Sequence, residues 1–181
     1  MAILFNAGRE LLILKLAKHI EFGGRICVTT DTWTARNYKS FTAVTGHWIN
    51  SDWAHNSELL DIIELTDPVH SGEYLAEKLF EIIDSLKITH AVFTVTQDNA
   101  ASNHSMLDEF EASANEYKTS RLDCLHQPWN FTWKEGDIRC LGHVINLAVQ
   151  EAMTQLKATP SDVSETYRMK RNEAHLPYSH T

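Results

Sequence analysis

Cysteine is scarce. The 181-residue chain has three, Cys27, Cys124 and Cys140. That odd, sparse count excludes a disulfide framework and points inside the cell. No run of about eighteen apolar residues occurs, so no membrane span is expected. The opening segment has an apolar stretch at Leu11–Leu16, but Lys15 and Lys18 interrupt it. No small-residue cleavage site follows, so it does not read as a signal peptide. Net positive charge is missing as well. Lys plus Arg number 16 against 24 Asp plus Glu, a formal charge of −8. This excludes a small basic module that holds nucleic acid through its net charge. It leaves room for an acidic site that needs metal. Serine-hydrolase, phosphate-loop and dinucleotide patterns are absent, as are internal repeats and low-complexity tracts.

What is present suits a globular fold. Apolar residues make up 43% and charged residues 22%, enough for one domain with a real core. The charge is unevenly spread. Residues 1–50 carry +3, residues 51–120 carry −11 and residues 121–181 are neutral. The acidic middle reads as a solvated helix face plus strand edges.

Residues 2–21 have the pattern of a helix, stopped by Gly23-Gly24. Arg25–Trp33 and Phe41–Ile49 are short β-branched runs and read as strands, with a third strand within Ser57–Leu65. The short connections suggest an antiparallel meander. The period then changes. Leu75, Leu79, Ile82 and Leu86 lay one stripe along a helix from about Ser71 to Leu86. Thr89–Thr96 fits a strand in the middle of a sheet. Asp98 or Asn99 would cap a following helix running to about Tyr117. Residues 118–139 show no regular pattern. Leu141, Ile145, Ala148, Ala152 and Leu156 mark a last helix over about Leu141–Lys157, and the polar remainder reads as a flexible tail. The expected organisation is an N-terminal helix over 1–22, a core over 25–157 and a tail over 158–181. Three antiparallel strands, a helix and a further strand make an α/β fold with a mixed sheet flanked by helices.

Two aspartates end the strands expected at the sheet centre. Asp31 follows Val28-Thr29-Thr30, and Asp98 follows Val95-Thr96-Gln97. The two strands can be neighbours in this topology, and the carboxylates then meet at one edge, where open α/β sheets bind ligands. Either residue alone fits the cap of a turn or helix. As a pair they repel unless a cation sits between them. Hard oxygen donors of this kind suit Mg²⁺ or Mn²⁺. Cys124, His126, Cys140 and His143 form a C-x-H…C-x-x-H set that zinc could accept. Their spacing is not that of a common finger, and a buried Cys with a hydrogen-bonded His is the preferred reading. Trp33 and Trp48 fit sheet packing better than base stacking, whereas Trp53, Trp129 and Trp133 lie in less regular segments and suit surface contacts. His47, His70 and His104 receive no role from their spacing.

Taken in order, these residues resemble the hAT superfamily transposases. Thr29-Thr30-Asp31-Thr32-Trp33-Thr34, Tyr38, Phe41-Thr42 and Gly46-His47-Trp48-Ile49 resemble the first family block. His70-Ser71-Gly72 resembles the His-x-Gly that precedes the family's first core helix. Asp98-Asn99-Ala100-Ala101-Ser102-Asn103 resembles the second block, Asp-Asn-Ala-x-x-Asn. Arg139-Cys140-Leu141-Gly142-His143 resembles the third, a Cys-x-x-His opening a helix. The resemblance covers about residues 25–152.

It implies a ribonuclease H-like fold with an Asp, Asp, Glu catalytic set. Asp31 matches the first aspartate and Asp98 the second, both as ligands of Mg²⁺ or Mn²⁺. Cys140 and His143 match the Cys-x-x-His pair, and with Trp33, Asn99 and Asn103 they are expected to support the active site or DNA. Family members cut DNA at transposon ends and join the freed end to a target, which implies nuclear location, DNA as partner and self-association. The family's catalytic Glu lies well beyond the Cys-x-x-His helix. Glu151, Glu165 and Glu173 are too close to match it, so a partial core, inactive alone, is expected. The alternatives are a non-catalytic DNA- or protein-interaction module, and a nuclease for RNA–DNA hybrids using Glu77 or Glu81. The Asp-Asn-Ala and Cys-x-x-His blocks argue against the nuclease.

Overall fold

The computed structural model describes residues 2–67, 69–98, 101–120 and 131–156, with no side-chain description for 2–5, 101 or 102. The element order is α1 (Ala2–Glu21), β1 (Ile26–Thr34), β2 (Ser40–Ile49), β3 (His55–Leu65), α2 (Gly72–Ser85), β4 (Val92–Gln97), α3 (Ala101–Ser120), α4 (Trp133–Gly136), β5 (Asp137–Arg139) and α5 (Leu141–Gln155). The sheet order is β3-β2-β1-β4-β5. The first three strands form the expected antiparallel meander. The crossover through α2 then lays β4 parallel to β1, and β5 joins β4 in parallel. The mixed α/β architecture is the one the sequence implied.

Local chemistry sets the punctuation. After α1 the chain reverses at Gly23, whose φ of 76° lies in the left-handed region that glycine enters freely. The Ser71 hydroxyl caps α2 by accepting from the Tyr74 N–H at 3.2 Å. Gly72 opens that helix against α3. A Cβ there would lie 2.0 Å from Ser105 Oγ and 2.8 Å from the Met106 backbone nitrogen. The His-x-Gly motif thus has a packing reason, because only glycine lets α2 approach α3 this closely.

One face of the sheet carries the core. Val28, Val44, Trp48, Leu60 and Val95 meet Leu16 and Ile20 of α1, Leu75, Leu79 and Ile83 of α2, and Leu107 and Phe110 of α3. Phe110 is fully buried and meets Phe80 and Phe131 edge-on. Burying each such large side chain stabilises by about 1.5–3 kcal/mol. The alternating residues of β1, namely Cys27, Thr29, Asp31 and Trp33, occupy the other face and are half-buried or exposed.

Two expectations change. Thr89–Ala91 forms a single 3-10 turn, so the strand begins at Val92. Lys87, at φ 60°, ends the α2 segment, and the turn drops buried Thr89 and Ala91 beneath α3 before the chain extends. The irregular stretch before Cys140 contains α4 and the three-residue β5. Both are too short to give a periodic signal. Residues 158–181, expected as a tail, lie outside the described residues, as do Asn99, Cys124, His126, Glu165 and Glu173.

The chain divides into two compact units, Met1–Cys140 and Leu141–Thr181. The described part of the second is α5, which buries none of its residues.

Candidate active site

β1 and β4 position the two aspartates. Parallel pairing matches Cys27 with Thr94, Val28 with Val95 and Thr29 with Thr96. Matched residues of parallel strands project to the same face. Carried two residues further, this register sets Asp31 level with Asp98. Asp98 directly follows β4, as expected, but Asp31 lies within β1, three residues short of its end, because pairing with β2 continues to Thr34. Both residues are exposed. On its other side Asp31 pairs with Ala43 of β2, which runs the opposite way. The small alanine leaves that flank of the carboxylate open.

Asp98 is held from below. Asn103 Nδ2 donates to Asp98 Oδ1 at 2.5 Å and to its carbonyl oxygen at 3.0 Å. Asn103 is the third residue of α3, so the Asp-Asn-Ala-x-x-Asn spacing closes the β4–α3 connection onto its own first residue. Trp33, two residues past Asp31 on the same face, stacks on Phe41 with ring centroids 5.7 Å apart. It is partly exposed and forms an aromatic wall beside the carboxylate edge.

Gln97 supports β4 from within. It is 3% exposed, and its amide nitrogen donates to Asp137 Oδ1 at 3.1 Å and to the Asn103 carbonyl at 3.5 Å. Its buried Oε1 has no partner among the described residues. Asp137 Oδ2 lies 3.6 Å from His104 Nδ1. The Cys140 N–H donates to the Gln97 carbonyl at 2.7 Å. Cys140 therefore stands just ahead of α5, with its backbone committed to the end of β4 instead of to a helical turn. This backbone link brings Cys140 to the end of β4, one residue before Asp98. His143 lies in α5, in the second unit, and is half-buried. The C-x-H half of the possible zinc set is outside the described residues.

Asp137 and His104 had no signal in the sequence that tied them to this region. Asp137 lies on a three-residue strand, and His104 follows a motif that does not include it.

The donor set is two carboxylates. It fits a hard divalent cation that takes its remaining ligands from water or substrate oxygen. Among the described residues no three His, Cys, Asp or Glu side chains gather to hold a metal ion. Two carboxylates at one edge repel unless a cation sits between them.

The chain matches the ZBED1 RNase-like domain family over residues 29–124. A Talaromyces stipitatus protein whose name includes "transcriptional regulator tpeD" is 26% identical over 164 residues, covering 90% of this chain and 18% of its own length. The Oryza sativa subsp. japonica zinc finger BED domain-containing protein RICESLEEPER 2 is 23% identical over 145 residues, 80% of this chain and 19% of its own. A Zea mays protein whose name includes "AC transposase" is 24% identical over 139 residues, 75% of this chain and 16% of its own. The chain thus spans less than a fifth of the length of these curated relatives. The matched segment holds Asp31 and Asp98, and the chain's five-stranded mixed sheet fits the ribonuclease H-like fold. The chain belongs to the ZBED1 RNase-like domain family, and with it to the hAT-type, transposase-derived proteins.

Proposed function

We propose that this chain is part of the catalytic core of a hAT-type DNA transposase, with Asp31 and Asp98 as ligands of Mg²⁺ or Mn²⁺. Its substrate is DNA at transposon ends, and its place is the nucleus. The reading is supported above all by the common register and common face of Asp31 in β1 and Asp98 just after β4. When bound, a divalent ion at such a site activates a water and stabilises a leaving oxygen in phosphoryl transfer. The chain's own residues do the rest. Asp31 and Asp98 supply negative charge, Asn103 holds Asp98 in one rotamer, and Trp33 offers a flat surface to a base or sugar. Cys140, tied to the end of β4 through its N–H, supports the edge that carries Asp98, and His143 in α5 offers a contact to DNA. Two carboxylates hold a cation more weakly than three, so the chain alone binds metal and leaves DNA uncut.

A second reading is a non-catalytic DNA- or protein-interaction module. It is favoured by the lack of a three-ligand cluster among the described residues. Calorimetry with Mn²⁺ tests the first reading: saturable binding that disappears in Asp31→Asn supports it. Binding indifferent to that change contradicts it. Incubation with end-labelled transposon-end DNA in Mn²⁺ separates the two further, because nicking abolished by Asp98→Asn would establish a competent site and overturn the inactivity proposed for the chain alone.

A further inference from the structure

A second site lies at the other end of the sheet. Asp31 pairs with Ala43, whereas Trp48 sits five residues further along β2, about 17 Å away at strand rise. Trp48 also points to the opposite face, among the core residues. There a cleft of about 480 Å³ opens between the carboxyl end of α1 and the β2–β3 turn. Its size falls within the range of small-molecule sites, roughly 300–1,000 Å³. Lys15, Lys18, His19, Phe22, Trp48 and Asn50 line it.

These side chains converge in an unusual way. Trp48 is only 4% exposed. Its ring is covered by His19, with centroids 6.0 Å apart, and by Lys15 Nζ at 5.2 Å. Yet its indole N–H makes no hydrogen bond among the described residues. That nitrogen is not among the buried polar atoms left without a partner, so it is open to solvent and to a ligand. Lys18 makes no ion pair or hydrogen bond there either. Its position in the last turn of α1 suits the helix dipole. Phe22 is 78% exposed at the mouth, and Trp53, 87% exposed, projects from the adjoining turn. The acidic neighbours are Asp52 and Glu58, and Glu58 is already bound by Lys15 at 2.7 Å. The lining thus offers unused donors, positive charge and exposed aromatic faces. It draws on the +3 segment of a chain that is otherwise acidic.

We propose that this cleft binds a nucleotide, with the phosphate on Lys18 and the Trp48 N–H and the base stacked on Phe22. The nucleotide is either free or one unit of a single DNA strand. Stacking on an exposed aromatic and a cationic phosphate contact are the two elements by which single strands are held without reading sequence. The site is independent of the carboxylate pair and works without metal.

The test is a titration in EDTA of the ¹⁵N-labelled chain with thymidine 5′-monophosphate, with 5′-phosphorylated (dT)₈ and with inorganic phosphate. The indole N–H signal of Trp48 is identified by its loss in Trp48→Phe. It should shift saturably with the nucleotide, the oligonucleotide or both. Binding of the monophosphate assigns a free nucleotide, and binding of (dT)₈ alone assigns a strand. Lys18→Glu, an exposed position, should weaken binding about tenfold or more, with Lys18→Arg nearly unchanged. Asp31→Asn should have no effect. A Trp48 signal unmoved by either nucleotide ligand overturns the proposal. So does affinity for inorganic phosphate equal to that for the nucleotide, or a Lys18→Glu variant that binds as well as the parent chain.

Discussion

Asp31 and Asp98 stand the same two residues beyond Thr29 and Thr96, the last matched positions of two neighbouring parallel strands. Equal offsets on parallel neighbours put both carboxylates on one face. Like charges on one face repel, and the cation proposed for this pair would relieve that repulsion. Mn²⁺ should therefore raise the thermal midpoint of the chain. At ten times its dissociation constant the gain is about 1.4 kcal/mol. Asp31→Asn should show no Mn²⁺-dependent rise, and in EDTA it should melt no lower than the parent. Thermal unfolding followed by circular dichroism, with and without Mn²⁺, checks both statements.

Asn103 orients Asp98 through two hydrogen bonds from one amide group. Asn103→Ala removes this orienting, charge-assisted bond at an exposed position, where it adds little to the stability of the fold. Calorimetric Mn²⁺ affinity should fall about tenfold while the denaturation midpoint changes little. In EDTA, Asn103→Asp should melt below Asn103→Ala, because it adds a third negative charge beside Asp98 with no cation to offset it.

Gly72 marks the closest approach of α2 to α3. Alanine there cannot be absorbed by rotating Ser105 alone, since the Met106 backbone nitrogen is also too near, at 2.8 Å. Gly72→Ala should cost about 1–3 kcal/mol through displacement of the helix pair. Paired variants test the cause in urea. Ser105→Gly should recover only part of the loss.

His47 carries a pH dependence of its own. Burial lowers its pKa from the ordinary 6.5, and the charge of His55, stacked at 5.9 Å, lowers it further. The folded state therefore binds the proton less readily than the unfolded chain. The stability linked to neutral His47 is complete above about pH 6.5 and is lost as the pH falls from there through the lowered folded value. His47→Gln should flatten this limb of the stability–pH curve, measured by urea unfolding between pH 7.5 and 5.

The meander, the α2 stripe and the two aspartates were legible because each has a periodic or chemical signature. Leu75, Leu79 and Ile82 repeat at helical spacing, and Asp31 and Asp98 each close a β-branched run. The blocks Asp31–Trp33 and Asp98–Asn103 were legible only as motifs. That Asn103 clamps Asp98 needs the folded β4–α3 connection. The 3-10 turn at Thr89–Ala91 was hidden inside a run whose composition is that of a strand. β5 and the Asp137–His104 contact were invisible because three residues cannot show a period and their partners are distant in sequence. The cleft at Trp48 was equally hidden. Trp48 obeys the alternation of β2, and nothing in the sequence shows that its N–H is left without an acceptor.

Paramagnetic broadening by Mn²⁺ reads the central relationship directly, because its effect falls steeply with distance from the ion. At substoichiometric Mn²⁺ the backbone amide signals of Asp31 and Asp98 should fade together, and Asp98→Asn should protect both. Fading of one aspartate while the other stays sharp, or fading unaffected by Asp98→Asn, would show that the two carboxylates do not hold one ion.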